Sequence, residues 1–261
     1  MIPTASHSIG IKKLSSIFKR YSACFFITKI RPLSSWLESD FMLNLDFSKH
    51  IFIDSNLEPW QESPMKGVWR KRLAREEAEC GHATSIVKYD AGASFSSHPH
   101  PLGEEIFVLD GVFSDETGDY PAGTYIRNPE GFEHAPFSKE GCTLFVKLHQ
   151  FQTTDIEQVR IDTHNTEWLP GIGGLKVMPL HQFNNDQMNE STALVFWPAG
   201  EHFQRHTHFG GEEILVISGE FVDEHGRYPA GSWIRSPHLS KHNPYVEQDT
   251  VILVKVGHLP L

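Results

Sequence analysis

At 261 residues and a formal net charge of −10, the chain can build one large domain or two small ones, and its acidity argues against nucleic acid as a partner. Three cysteines, Cys24, Cys80 and Cys142, are odd in number and lack C-x-x-C spacing, which argues against a disulfide framework or thiolate zinc site and fits a reducing cytoplasm. Eighteen Phe, six Trp and six Tyr, with Gly and Pro spread throughout, suit an all-β chain with many turns.

Residues 1–41 carry six Lys and Arg against Glu38 and Asp40, so 6 − 2 = +4, and the remainder carries −10 − 4 = −14. This basic, Ser-rich extension has an apolar patch at Cys24-Phe25-Phe26-Ile27-Thr28, too short to span a membrane, and no membrane partner is expected. It reads as a disordered or over-extended gene-model segment upstream of a natural start at Met42, with a transit-like peptide as the alternative.

From Met42 onward the pattern is that of short strands. Ile51-Phe52-Ile53 is an apolar run, and Val68 to Leu73 alternates apolar and basic residues as an edge strand would. Ala83 to Tyr89 is the next strand, followed by His98-Pro99-His100 and the carboxylate Glu104. The strand from Glu105 to Leu109 ends at the Asp110-Gly111 turn signal, Thr124 to Arg127 is extended, and His134 and the apolar strand Thr143–Leu148 follow. Period-two alternation puts His98 and His100 on one side of a strand. Three imidazoles and a carboxylate converging would bind Zn, Fe, Mn or Ni.

The second half repeats the first. Adding 108 takes Gly92 to Gly200, His98 to His206, His100 to His208, Glu104 to Glu212, Gly111 to Gly219, Gly123 to Gly231, Arg127 to Arg235 and His134 to His242. It also takes Trp60 to Trp168 and Lys147 to Lys255. An ungapped repeat of that length means two copies of one fold unit, expected over 42–150 and 151–261. Many short strands at this spacing imply a sandwich or barrel.

These residues resemble the cupin superfamily. Its first motif, G-x5-H-x-H-x3/4-E-x6-G, is met by Gly92, His98, His100, Glu104 and Gly111, and again by Gly200, His206, His208, Glu212 and Gly219. Its second motif is met by Gly123, Pro129, Gly131 and His134, with Ser138 in place of the final Asn. The second copy has Gly231, Pro237 and His242, but Leu239 replaces the Gly and Val246 the Asn. The wording around Gly103–Gly111 and Gly141–Leu148 is similar to ChrR-type anti-sigma-factor cupin domains and to acetylacetone-cleaving dioxygenases.

The resemblance implies a bicupin, two RmlC-like double-stranded β-helix (jelly-roll) barrels. One divalent metal (Zn, Fe(II) or Mn) would sit in each, held by His98, His100, Glu104 and His134, and by His206, His208, Glu212 and His242. Phe95, Phe107, Tyr125, Arg127, Phe203, Trp233, Arg235 and Tyr245 are expected around the pockets, with Arg127 and Arg235 facing either pocket or solvent. Glu105 and Glu213 are expected at the surface or rim.

Two functions follow from the resemblance: an Fe(II) dioxygenase acting on a small oxygen-chelating molecule, expected at His98, His100, Glu104 and His134 because that copy keeps Gly131 where the other has Leu239, or a Zn-binding regulatory or sensor module without catalysis. Residues 1–60 hold a single cysteine, Cys24, so a sigma-factor partner is not expected. A homodimer through barrel edges is the remaining partner expectation.

Overall fold

A computed structural model describes residues 42–76, 81–186 and 188–261. The N-terminal extension over 1–41, with Cys24, and also Cys80, lie outside the described residues. Among the described residues the chain is all-β. The first copy supplies β1 (Ile51–Asp54), β2 (Gln61–Glu62), β3 (Val68–Arg75), β4 (Ala83–Tyr89), β5 (His98–Pro99), β6 (Glu104–Asp115), β7 (Gly118–Pro121), β8 (Thr124–Asn128), β9 (Glu133–His134) and β10 (Cys142–Leu148). The second supplies β11 (Val159–Asp162), β12 (Leu169–Pro170), β13 (Lys176–Asn184), β14 (Asn189–Trp197), β15 (His206–His208), β16 (Glu212–Ser218), β17 (Glu220–Asp223), β18 (Gly226–Pro229), β19 (Ser232–Ser236), β20 (Ser240–His242) and β21 (Thr250–Val256).

Each copy is a jelly-roll barrel, one large antiparallel sheet closed by short two-stranded ladders. The large sheets run β11-β8-β6-β10-β4-β3-β2 and β1-β19-β16-β21-β14-β13-β12, and β5–β9 and β15–β20 are the ladders that carry histidines. The outermost strands are exchanged between the copies. Strand β1 pairs with β19, Ile51 opposite Arg235, and β11 pairs with β8, Val159 opposite Arg127. An exposed edge on each large sheet is thereby covered by the other copy's chain. Gly123 and Gly231, at φ +84° and +89°, make the turns into β8 and β19. A Cβ there would stand 2.6 Å from His164 and 2.7 Å from Asn56, which lie in the turns after the exchanged strands. Glycine is therefore required twice over at each turn.

Strand parity sorts the side chains. Ile106, Val108, Ile126, Leu144 and Val146 point into the first barrel, and Ile214, Val216, Ile234 and Ile252 into the second. Their neighbours Phe107, Tyr125 and Phe145 point the other way and meet Leu215, Trp233 and Leu253 in a third core between the two large sheets. Both faces of each sheet are thus buried, which is why β6 and β10 read as almost continuous apolar runs.

The same parity corrects the expectation for Glu105 and Glu213. They do point away from Glu104 and Glu212, but that direction leads to the opposite barrel, and their exposures are only 4% and 3%. Lys255 Nζ lies 2.6 Å from Glu105 and 2.6 Å from Glu190, and Lys147 pairs with Glu213 at the equivalent positions with the copies interchanged. Burial alone would raise the Glu105 carboxyl, but Lys255 and Arg127 hold it well below the usual carboxylate range.

Candidate metal centres

In the first barrel the β5–β9 ladder sets His98 directly opposite His134. His98, His100 and His134 present ring nitrogens that all lie within 4.8 Å of one another, and His100 Nε2 is 2.9 Å from His134 Nε2. Glu104, at the start of β6, is 3.5 Å from His100 and 3.4 Å from His134, but falls outside the mutual 4.8 Å radius that includes His98. In the second barrel the corresponding ladder faces His206 with His242, and all four of His206, His208, Glu212 and His242 fall within that radius. Ligands bound about 2.0–2.2 Å from one metal stand about 3 Å apart, so both spacings suit a single ion.

The donor chemistry fits as well. His208 Nε2 and Glu212 Oε2 are buried without a hydrogen-bond partner, as atoms aimed at a shared cation would be. Burial pushes His208 down to about 3 and His100 down to about 4, which keeps both imidazoles neutral and able to ligate. Burial raises Glu212 to about 7, because His242 only partly offsets it. Burial would also raise Glu104, but His100, His134 and the amide of Asn128, donating at 3.0 Å, hold it low.

One further carboxylate, outside the sequence motifs, completes each cluster. Asp115 accepts from His134 Nδ1 at 3.2 Å, and Asp223 from His242 Nδ1 at the same distance. A carboxylate on the distal nitrogen fixes the tautomer, turns Nε2 toward the ligand cluster and raises its basicity. Burial lowers both histidines, yet these carboxylates and the neighbouring Glu104 or Glu212 leave them raised. The 108-residue offset maps Asp115 onto Asp223, so the repeat itself carried the signal.

The departure at Leu239 leaves the loop before His242 intact. Leu239 adopts φ +62° where Gly131 has +86°, at a cost of about 1–2 kcal/mol for a residue with a Cβ.

The expected pocket ring is only partly assembled. Phe95 stands 5.5 Å from the His98 ring and Phe203 5.0 Å from that of His206. Phe107, Tyr125 and Trp233 do not face a metal cluster. Odd parity puts them in the core between the barrels, where the Tyr125 hydroxyl donates to Glu105 at 2.8 Å. Arg127 and Arg235 face neither pocket nor solvent. Arg127 pairs with Asp155 at 2.5 Å and covers the Phe151 ring, while Arg235 lies 4.5 Å from the Phe47 ring and donates to the Asp46 carbonyl. Tyr245 stacks on His202 at 5.0 Å. A further group, Asp155, His181 and Glu190, is close enough to ligate, but Arg127 and Lys255 already neutralise it.

The two centres differ in access. At the first, Phe132 packs 5.5 Å from the His134 ring, and Arg160 lies over Phe132 while donating to Asn128 Oδ1 at 2.6 Å. Arg160 belongs to β11, so the second half of the chain locks the residue that holds Glu104. At the second, Ser240 replaces Phe132, Ser236 replaces Asn128 and Phe52 replaces Arg160. A cavity of about 230 Å³ opens there beside His242, lined by His50, His225, Ser236 and Lys241. His50, from the first half, reaches Ser236 Oγ at 3.2 Å.

Two jelly-roll barrels, one with a three-histidine cluster beside Glu104 and one with a His3Glu cluster, each with an orienting carboxylate, define a two-domain cupin. The chain belongs to the family described as ChrR Cupin-like domain, which matches residues 48–152 and again 157–260. No curated protein matches it. Among solved structures it is similar to a Nostoc punctiforme protein described as a candidate dioxygenase (TM-score 0.66, 13% identity, 82% of this chain and 88% of that one). It is also similar to the Escherichia coli pirin YhhW in complex with nickel(II) (0.61, 11%, 81% and 100%) and to Lactobacillus farciminis oxalate decarboxylase in a formate complex (0.55, 13%, 80% and 86%). At such identities the likeness is one of fold. No helix among the described residues is long and apolar enough to cross a membrane.

Proposed function

We propose that this bicupin is a metal-dependent enzyme of the oxygenase type, and that its reacting centre is the one in the second barrel. The observation that carries this reading is the replacement of Phe132 and Arg160 by Ser240 and Phe52, beside a cavity of about 230 Å³ that reaches His242. His206, His208, Glu212 and His242 would hold the metal, Fe(II) or Mn, and four protein ligands leave two positions of an octahedral ion for a chelating substrate. Bound there, the metal would supply Lewis acidity and, as iron, reactivity toward dioxygen. Lys241 at the cavity wall favours a substrate with negative oxygen atoms, such as an enolised β-diketone, an enediol or a 2-oxo acid. Asp223 would keep His242 in one tautomer as a substrate proton leaves. The first centre, closed by Phe132, would hold its metal for structure.

A second reading, a zinc-binding sensor without turnover, draws on the ChrR family match. Oxygen uptake by protein loaded separately with Fe(II), Mn(II) and Zn(II), measured against a panel of those chelators, separates the two. Uptake with one redox-active metal, abolished in His206→Ala and retained in His98→Ala, is the expected result. No uptake with any metal and any chelator would sink the enzyme reading.

A further inference from the structure

Between the barrels, away from both metal clusters, lies a cavity of about 520 Å³. That is within the range of about 300–1,000 Å³ usual for small-molecule sites. Its walls come from both copies in matched pairs: Trp60 with Trp168, Phe107 with Leu215, Ile86 with Leu194. The polar groups of the turns after the exchanged strands are already engaged, Asn56 with the Ala230 carbonyl at 2.8 Å and His164 with the Ala122 carbonyl at 3.1 Å.

One charge breaks the matched pattern. Lys71 lines the cavity opposite Ile86, and the residue opposite Leu194 in the other copy is the uncharged Met178. Its ammonium donates to the Ser55 carbonyl at 2.7 Å and lies 4.5 Å from the Trp60 ring centre. Those two contacts leave it without a carboxylate among the described residues. Lys88, the other ammonium near that ring, is paired with Asp90 at 3.6 Å. A largely apolar wall with two indoles and, among the described residues that line it, one lysine without a carboxylate partner matches an apolar monoacid, its carboxylate on Lys71 and its body against the apolar wall.

We infer that the cleft between the barrels is a binding site for a small apolar carboxylate, an alkyl or aromatic acid, separate from both metal centres. The strands behind it are those that carry the metal carboxylates, since Phe107 and Leu215 each follow Glu104 and Glu212 by three residues.

The full chain, titrated with octanoate and 2-naphthoate and with 1-octanol and 2-naphthalenemethanol as uncharged counterparts, tests this by calorimetry and tryptophan fluorescence. Each acid should saturate at one per chain and bind about tenfold or more tightly than its alcohol, as a hydrogen bond to a charged group implies. Lys71→Met should erase that preference while leaving alcohol binding, Lys71→Arg should keep it, and Leu215→Trp, which fills the chamber, should remove both ligands. Far-ultraviolet dichroism and the unfolding midpoint confirm that each variant is folded. Equal affinity for acid and alcohol in the wild type would overturn the site, as would undiminished binding to a folded Leu215→Trp. Loss of acid binding in His206→Ala or His98→Ala would place the acid at a metal centre and overturn it too, without touching the oxygenase reading.

Discussion

Lys255, on the last strand of the second barrel, closes to 2.6 Å on Glu105, the neighbour in sequence of Glu104, the candidate ligand of the first barrel. Lys147 and Glu213 repeat the arrangement with the barrels interchanged. Removing one member of a buried pair leaves its partner charged and unpaired, at about 3–5 kcal/mol. Lys255→Met should therefore lower the denaturant-unfolding free energy by up to about that amount, since it takes the ammonium from both Glu105 and Glu190 and leaves them the Tyr125 hydroxyl at 2.8 Å and Arg127 at 3.7 Å. A change under about 1 kcal/mol would place the pair among contacts of little consequence.

Metal content should reach two ions per chain, one in each barrel. His98→Ala and His206→Ala should each remove about one, read by elemental analysis, because loss of one of four ligands collapses affinity. Asp223→Asn should retain the ligands yet weaken metal binding at the second barrel by about 10–100-fold, the effect of losing an orienting carboxylate. A wild-type content of one or none would refute the two-site assignment.

Closing the second cavity should separate binding of metal from turnover. Ser240→Phe copies Phe132 of the first barrel onto the second, so the expected outcome is full metal content with oxygen uptake lost. Uptake unchanged from wild type would move the reacting centre elsewhere.

His82 sits among Lys147, His258 and Arg235, and burial together with Lys147 pushes it down to about 3 from an ordinary 6.5. Between those values the unfolded chain holds a proton that the folded chain does not. Stability therefore falls as pH drops from about 6.5 toward 3 and gains no further loss from this group below that. His82→Gln should flatten the slope of unfolding free energy between pH 4 and 6 by up to about 1.4 kcal/mol per pH unit in metal-free protein. Identical slopes for variant and wild type would show that His82 titrates as it does in the unfolded chain.

The cupin barrels were legible in the sequence because glycines, histidines and carboxylates recur at fixed spacing in both copies. What lay between the barrels was not. Phe107, Tyr125, Trp233, Arg127 and Arg235 looked like a pocket lining because nothing local distinguishes a residue facing a ligand from one facing a second sheet. Strand parity did assign Glu105 the opposite side from Glu104. Only the docking of the large sheets turned that side into a buried interface. The apolar runs Ile106–Leu109 in β6 and Leu144–Val146 in β10 were the available hint, since a half-solvated strand would alternate. The differing access of the two centres was also hidden, because Phe132 and Ser240 lie between motif positions and gain meaning only beside Arg160 and Phe52.

The exchange of β1 and β11 makes one polypeptide do what two identical subunits would otherwise do. Linked copies meet at an effective concentration of about millimolar whatever the cellular level, so folding of the pair does not weaken on dilution. Identical subunits would have to carry the same residue at Phe132 and at Ser240. Covalent joining releases that constraint, and each centre is free to drift toward its own task while borrowing a strand, and a polar side chain such as Arg160 or His50, from a neighbour that can never dissociate.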